Sequence, residues 1–296
     1  MDTSQVIQLA QTQLEQLPTQ IFDVLTIAKP VSASSALNLA KIISKLSPIM
    51  GNLIEFNIVE LLNQNPVWSR FGKWVRQDPD FPDAVFEGAF VPTPGFEIKA
   101  WFPLSTEITA RFKPSQQYFA DQNIHVVLVG WIPENIIYGR PQILKVSIIE
   151  AGSIAISRDH HYHRPPDYVV TEPENTLERT VNLRQTNTNG YKWQGTPAQL
   201  KEAVEWLNTF GYDVGSYRLD ADYQQLMKQL LSRYNYRLDT NFAKLDRIAH
   251  PDIERFKTDL LETSIHGMAL KDWIRVYNAT DEQQILKVFR QHLGIG

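Results

Sequence analysis

Asp83, Glu97 and Lys99 have the residue types and spacing of a hydrolytic site. Pro82-Asp83-Ala84-Val85-Phe86 and Gly95-Phe96-Glu97-Ile98-Lys99-Ala100-Trp101 flank a connection that holds Pro92 and Pro94, which reads as strand, turn, strand. Side chains alternate faces along a strand, so Glu97 and Lys99 share one face while Phe96, Ile98 and Ala100 fill the other. The hairpin brings Asp83 alongside. Two carboxylates converging on one point repel unless a cation sits between them. Hard oxygen donors suit Mg²⁺, which binds one or two carboxylates and keeps several waters for phosphate chemistry. Lys99 would then hold or deprotonate an attacking water, or stabilise charge developing on phosphate oxygens. Asp80 is the rival to Asp83, because Asp78-Pro79-Asp80-Phe81-Pro82-Asp83 holds two Pro-Asp pairs; Asp83 adjoins the strand and Asp80 does not.

Pro82-Asp83 followed by Glu97-Ile98-Lys99 resembles the PD-(D/E)xK motif of Mg²⁺-dependent nucleases, which include most type II restriction endonucleases. Glu97-Ile98-Lys99 is the one acid-x-Lys triplet in the chain. Gly51-Asn52-Leu53-Ile54-Glu55 with its apolar continuation to Leu62 is similar to the helix that precedes the motif in this superfamily. The resemblance covers roughly 51–101. It implies an α/β, restriction-endonuclease-like core, a mixed central sheet flanked by helices, with helical additions at both ends. It also implies Asp83 and Glu97 as Mg²⁺ ligands, Lys99 and Glu55 as further catalytic residues, and double-stranded DNA as substrate. A homodimer suits a two-stranded palindromic target, and a DNA methyltransferase would be the functional companion. Rival readings are a structure-selective repair or mobile-element nuclease on the same fold, and a non-catalytic DNA-binding protein whose Glu97–Lys99 pair is a surface ion pair.

The elements that must position these residues follow from periodicity. Val6, Leu9, Ala10, Leu14 and Leu17 have helical spacing, and a second helix is expected from near Ser32 to before Pro48. A third spans Ile49 to about Asn63, with Met50, Leu53, Ile54, Ile58, Leu61 and Leu62 as its buried stripe. Glu55 falls at the margin of that stripe and Glu60 farther round, in solvent. Trp68 to Arg76 reads as a packed helix or a surface that lies on a DNA backbone. Ile124–Ile132 is a buried central strand bounded by Asn123 and Pro133, and 142–149 is another. From about 220 onward the pattern is almost wholly helical. These readings place a nuclease core with N-terminal helices at 1–195 and a helical C-terminal subdomain at 196–296.

Two segments have the chemistry of DNA contact. Ser105, Thr106, Thr109 and Arg111 carry the hydroxyls and charge that phosphate contacts use, though an ordinary connecting loop fits equally. Arg184, Gln185, Asn187 and Asn189, with Lys192, hold the side chains that read base edges, or else form a polar surface loop. His160, His161 and His163 have spacings of one, two and three, unsuited to a zinc pair on one helix face.

Composition bounds the rest. The chain has 296 residues, 43% of them apolar, enough for a packed core, and no window reaches the apolar length of a membrane span. No secretory signal is visible at Met1-Asp2-Thr3-Ser4-Gln5. With no cysteine, thiolate catalysis and Cys-ligated metals are excluded, and a cytoplasmic setting is expected. The net charge of −4 argues against bulk non-specific DNA binding but leaves room for one locally positive surface.

Overall fold

Asp2 caps the first helix, α1 (Thr3–Leu14), with a reciprocal pair of hydrogen bonds to Gln5, and Val6, Ile7, Ala10 and Leu14 bury its inner face. The computed structural model describes residues 1–77, 80–104, 108, 112, 116–163, 170–172, 191–194, 197–212, 220–233 and 244–295. Ser32 caps α2 (Ala33–Ile42). One 3₁₀ turn, Ile43–Leu46, leads into α3 (Ser47–Asn63), where Pro48 sits in the first turn, the place that tolerates a missing N–H. Met50, Ile54, Ile58, Val59 and Leu62 are the buried side of α3, each worth about 1.5–3 kcal/mol against exposure.

Trp68 to Arg76 is not the packed helix that its spacing allowed. It is a 3₁₀ turn, Pro66–Arg70, followed by strand β1 (Gly72–Arg76). Asn65 caps the turn, and Gly72, at φ +151°, opens the strand where a Cβ would run into the carbonyl oxygen of Glu87. Trp74 then points inward against Phe86 and Phe96, with ring centroids 5.3 and 5.0 Å away, so Trp74 and the buried Trp68 are core while Arg70, Phe71 and Lys73 stay exposed.

The main sheet runs β1, β2 (Ala84–Gly88), β3 (Pro94–Trp101), β4 (Asn123–Pro133), β5 (Pro141–Glu150), in that spatial order. Only β3 and β4 are parallel; the other neighbours are antiparallel, so the sheet is mixed. The central strand β4 is buried almost throughout, as its continuous apolar run requires. After β5 come α4 (Ala151–His163), β6 (Val170–Glu172), β7 (Tyr191–Gln194), α5 (Pro197–Asn208), α6 (Ala221–Ser232), α7 (Pro251–Glu262), the short ribbon β8 (Ser264–Ile265) and β9 (Met268–Ala269), α8 (Leu270–Tyr277) and α9 (Glu282–Leu293).

Both faces of the main sheet are covered. Gly51 of α3 approaches Ala100, whereas Phe256 and Leu260 of α7 meet Trp101 and Gly130. Ala100 and Trp101 are successive strand residues and point to opposite faces, so the two helices sandwich the sheet. This is a mixed α/β architecture, a five-stranded mixed sheet flanked by helices.

The chain divides into two compact units, 1–157 with 244–296, and 158–243. The terminal segment, which the sequence grouped with 196–243 as one helical subdomain, packs with the first unit. Its apolar faces explain why: Ile253, Phe256 and Leu260 of α7 and Phe289 and Leu293 of α9 are all buried in the main core. The second unit contains the antiparallel pair β6–β7 with α5 and α6; Ala203, Leu207, Tyr223 and Leu230 are its buried apolar residues among those described. Among the described residues no helix is long and apolar enough to cross a membrane.

Candidate active site

The hairpin closes with Ala84 opposite Phe96 and Val85 opposite Gly95, and there the pairing of β2 with β3 ends. From Glu97 onward β3 has no β2 residue beside it. At that divergence the Asp83 carboxylate takes over the role of a missing strand: its Oδ2 accepts the Ile98 backbone N–H at 2.7 Å. The Asp83 backbone meanwhile stays with the other strand, its carbonyl accepting from Gln77 N–H at 2.8 Å. Glu97 Oε2 accepts the Asp83 N–H at 3.2 Å. Backbone hydrogen bonds therefore fix both carboxylates before any side-chain partner is counted.

Lys99 sits between them. Its ammonium lies 3.1 Å from Asp83 Oδ2 and 2.6 Å from Glu97 Oε1. Glu97 is 7% exposed and Lys99 keeps 17% of its side chain accessible, so these are desolvated charges rather than a surface pair. Across from them Glu55 of α3 pairs with Arg76 at the end of β1, 3.5 Å apart. The position of α3 is set by a two-bond clamp at its end. Asn63 Nδ2 donates to the Trp74 carbonyl and Asn63 Oδ1 accepts the Trp74 N–H, both at 2.8 Å.

The electrostatics follow from that crowding. Burial raises the Glu97 pKa above the usual carboxylate range, Lys99 opposes the rise, and the charge of Asp83 adds to it. Glu55 is also raised, first by burial and then by the charge of Asp83, against the pull of Lys99 and Arg76. Burial acts to lower Lys99, but the charges and hydrogen bonds of Glu97 and Asp83 outweigh it, and the net shift is upward. With Asp83 and Glu97 as its partners, Lys99 is held as the protonated cation.

The structure brings Asp83, Glu97 and Lys99 into direct contact, with Glu55 close enough to feel the charges of Asp83 and Lys99. Asp80 is exposed and makes no contact with the cluster among the described residues, and Glu60 is exposed on the far side of α3. Ser105, Thr106, Thr109, Arg111, Arg184, Gln185, Asn187 and Asn189 lie outside the described residues, as do the side chains of Lys192, His160, His161 and His163. Sequence reading passed over Asn63, which fixes α3, and left Arg76 on either a packed helix or a surface lying on DNA. A helix-terminal Asn ahead of an Asn-Pro turn was the available signal for the first; nothing local in the sequence pairs Arg76 with Glu55.

Among the described residues no group of three His, Cys, Asp or Glu side chains is close enough to hold a metal ion. The Asp83–Glu97 pair remains: two hard-oxygen ligands already converging on one cation, the protein share that an ion keeping most of its waters requires. Comparison with models of protein families, with curated proteins and with solved structures finds no match to this chain.

Proposed function

We propose that this chain is a Mg²⁺-dependent endonuclease that hydrolyses phosphodiester bonds in double-stranded DNA, on a restriction-endonuclease-like core. One observation carries the reading: the Asp83 and Glu97 carboxylates converge on the Lys99 ammonium where β2 leaves β3, with Glu55 beside them. Asp83 and Glu97 fit a Mg²⁺ ion, which would supply charge to the phosphate oxygens when bound. Lys99 holds or deprotonates the attacking water, or donates to a phosphate oxygen. Hydrolysis adds the water oxygen to phosphorus, breaks one P–O ester bond and leaves the proton for the departing oxygen. Glu55, held by Arg76, borders the cluster as a further acidic group.

On this reading Ser105, Thr106, Thr109 and Arg111 are candidates for phosphate contact, and Arg184, Gln185, Asn187, Asn189 and Lys192 for reading base edges. The enzyme acts as a homodimer in the cytoplasm beside a protecting DNA methyltransferase. The test is cleavage of supercoiled plasmid with Mg²⁺ by the wild type and by Asp83→Ala, Glu97→Ala and Lys99→Ala. Wild type should cut, and all three variants should be inactive while folded. Normal cutting by Lys99→Ala would overturn the assignment.

A further inference from the structure

The Lys99 ammonium occupies the point on which Asp83 Oδ2 and Glu97 Oε1 converge. A divalent cation held by those two carboxylates would need the same place. Resting on the nuclease reading above, we infer that Lys99 is an internal cation competing with the divalent ion for the Asp83–Glu97 pair, and that the ion displaces it on binding. The surroundings permit such an exchange. Ile98 N–H holds Asp83 and Asp83 N–H holds Glu97, so the carboxylates keep their positions whichever cation lies between them. Lys99 belongs to the stretch of β3 that β2 does not pair, and its side chain retains some access to solvent. Arg76 is engaged with Glu55. The consequence for catalysis is an order of events: the ammonium is released toward a phosphate only after the divalent ion has taken over its carboxylates, so an enzyme lacking the ion keeps its own lysine masked.

The test uses Mn²⁺ as the probe, without DNA. Mn²⁺ binding is followed by electron paramagnetic resonance for wild type and for Lys99→Met, in which the competitor is gone. The variant should bind Mn²⁺ about tenfold more tightly or better. In parallel, wild-type Lys99 is acylated with a water-soluble ester and quantified by peptide mass spectrometry; saturating Mn²⁺ should raise its modification several-fold. This second readout needs no variant and decides the matter if Lys99→Met does not fold. Equal Mn²⁺ affinity in the two proteins, or Lys99 acylation unchanged at saturating Mn²⁺, overturns the competition while the metal site itself stands. Failure of both proteins to bind Mn²⁺ at millimolar concentration overturns the competition and the metal site together.

Discussion

Replacing Asp83 by alanine removes two things at once, and a second substitution separates them. In the native protein Asp83 Oδ2 accepts the Ile98 N–H at 2.7 Å and the Lys99 ammonium at 3.1 Å. Ile98 is fully buried and no β2 residue pairs with it, so in Asp83→Ala its N–H loses its acceptor at the divergence of β2 and β3. A buried donor stranded in this way costs about 1–3 kcal/mol. Asp83→Asn keeps an oxygen for Ile98 but loses the charge, and should cost about 1 kcal/mol or less in stability. Both variants should lose Mg²⁺-dependent cleavage, because a neutral side chain cannot serve as the second carboxylate.

Hydrogen exchange at the Ile98 amide reads the structural part directly. The alanine variant should exchange there roughly 5- to 150-fold faster, the equivalent of that 1–3 kcal/mol, while the asparagine variant stays near wild type. Plasmid cleavage reads the chemical part. If Ile98 exchange is unchanged in Asp83→Ala, the carboxylate is not standing in for a strand. If Asp83→Asn still cuts at the wild-type rate, the carboxylate is not a metal ligand. Either result refutes the reasoning at a different step.

Other consequences are more local. Gly130→Ala places a methyl group against the buried Leu260 of α7 and should destabilise by about 1–3 kcal/mol, measured by denaturant unfolding. Asn63→Ala breaks the clamp between α3 and β1 and should cost about 1–3 kcal/mol, with Trp74 amide exchange accelerated. Burial lowers the His125 pKa from 6.5 to about 4, so this stabilising difference is fully present above pH 6.5 and is lost as pH falls toward 4, about 3 kcal/mol in all. His125→Gln should flatten that part of the stability–pH curve; an unchanged slope between pH 6.5 and 4 would refute the assignment to His125. His250, also lowered by burial, acts in the same direction and remains in both proteins.

The legible part of this chain was the part encoded in short-range pattern. The apolar run of β4, the alternation in β3 and the start of α2 after Ser32 each depend on residues a few positions apart, and these formed where that pattern put them, whereas α2 stops at Ile42, short of Pro48, which the first turn of α3 takes in. The meeting of Asp83 with Glu97 was legible for the same reason, since a hairpin joins them. Trp68 to Arg76 was not, because aromatic residues at mixed spacing suit a helix and a buried strand equally, and only the distant partners Phe86 and Phe96 decide it. The return of α7 to the main sheet was hidden likewise: its amphipathic face shows that it must pack, while the partner, Trp101 with Gly130, lies some 150 residues earlier.

Charge explains why the site calls for a metal on the proposed reading. Asp83 and Glu97 converge on the Lys99 ammonium, and Glu55, paired with Arg76, lies near enough to feel the charges of Asp83 and Lys99. The raised pKa values of Glu97 and Glu55 show that those cations do not fully offset burial and mutual repulsion. A phosphodiester brought to such a cluster adds a further negative charge in a region where water screens poorly, and the approach is uphill. On that reading Asp83 and Glu97 would hold a divalent ion that supplies positive charge there, and Lys99 would add its own charge toward the phosphate. Acids that look unfavourable for binding DNA would then let a chain of net charge −4 attract phosphate at this site.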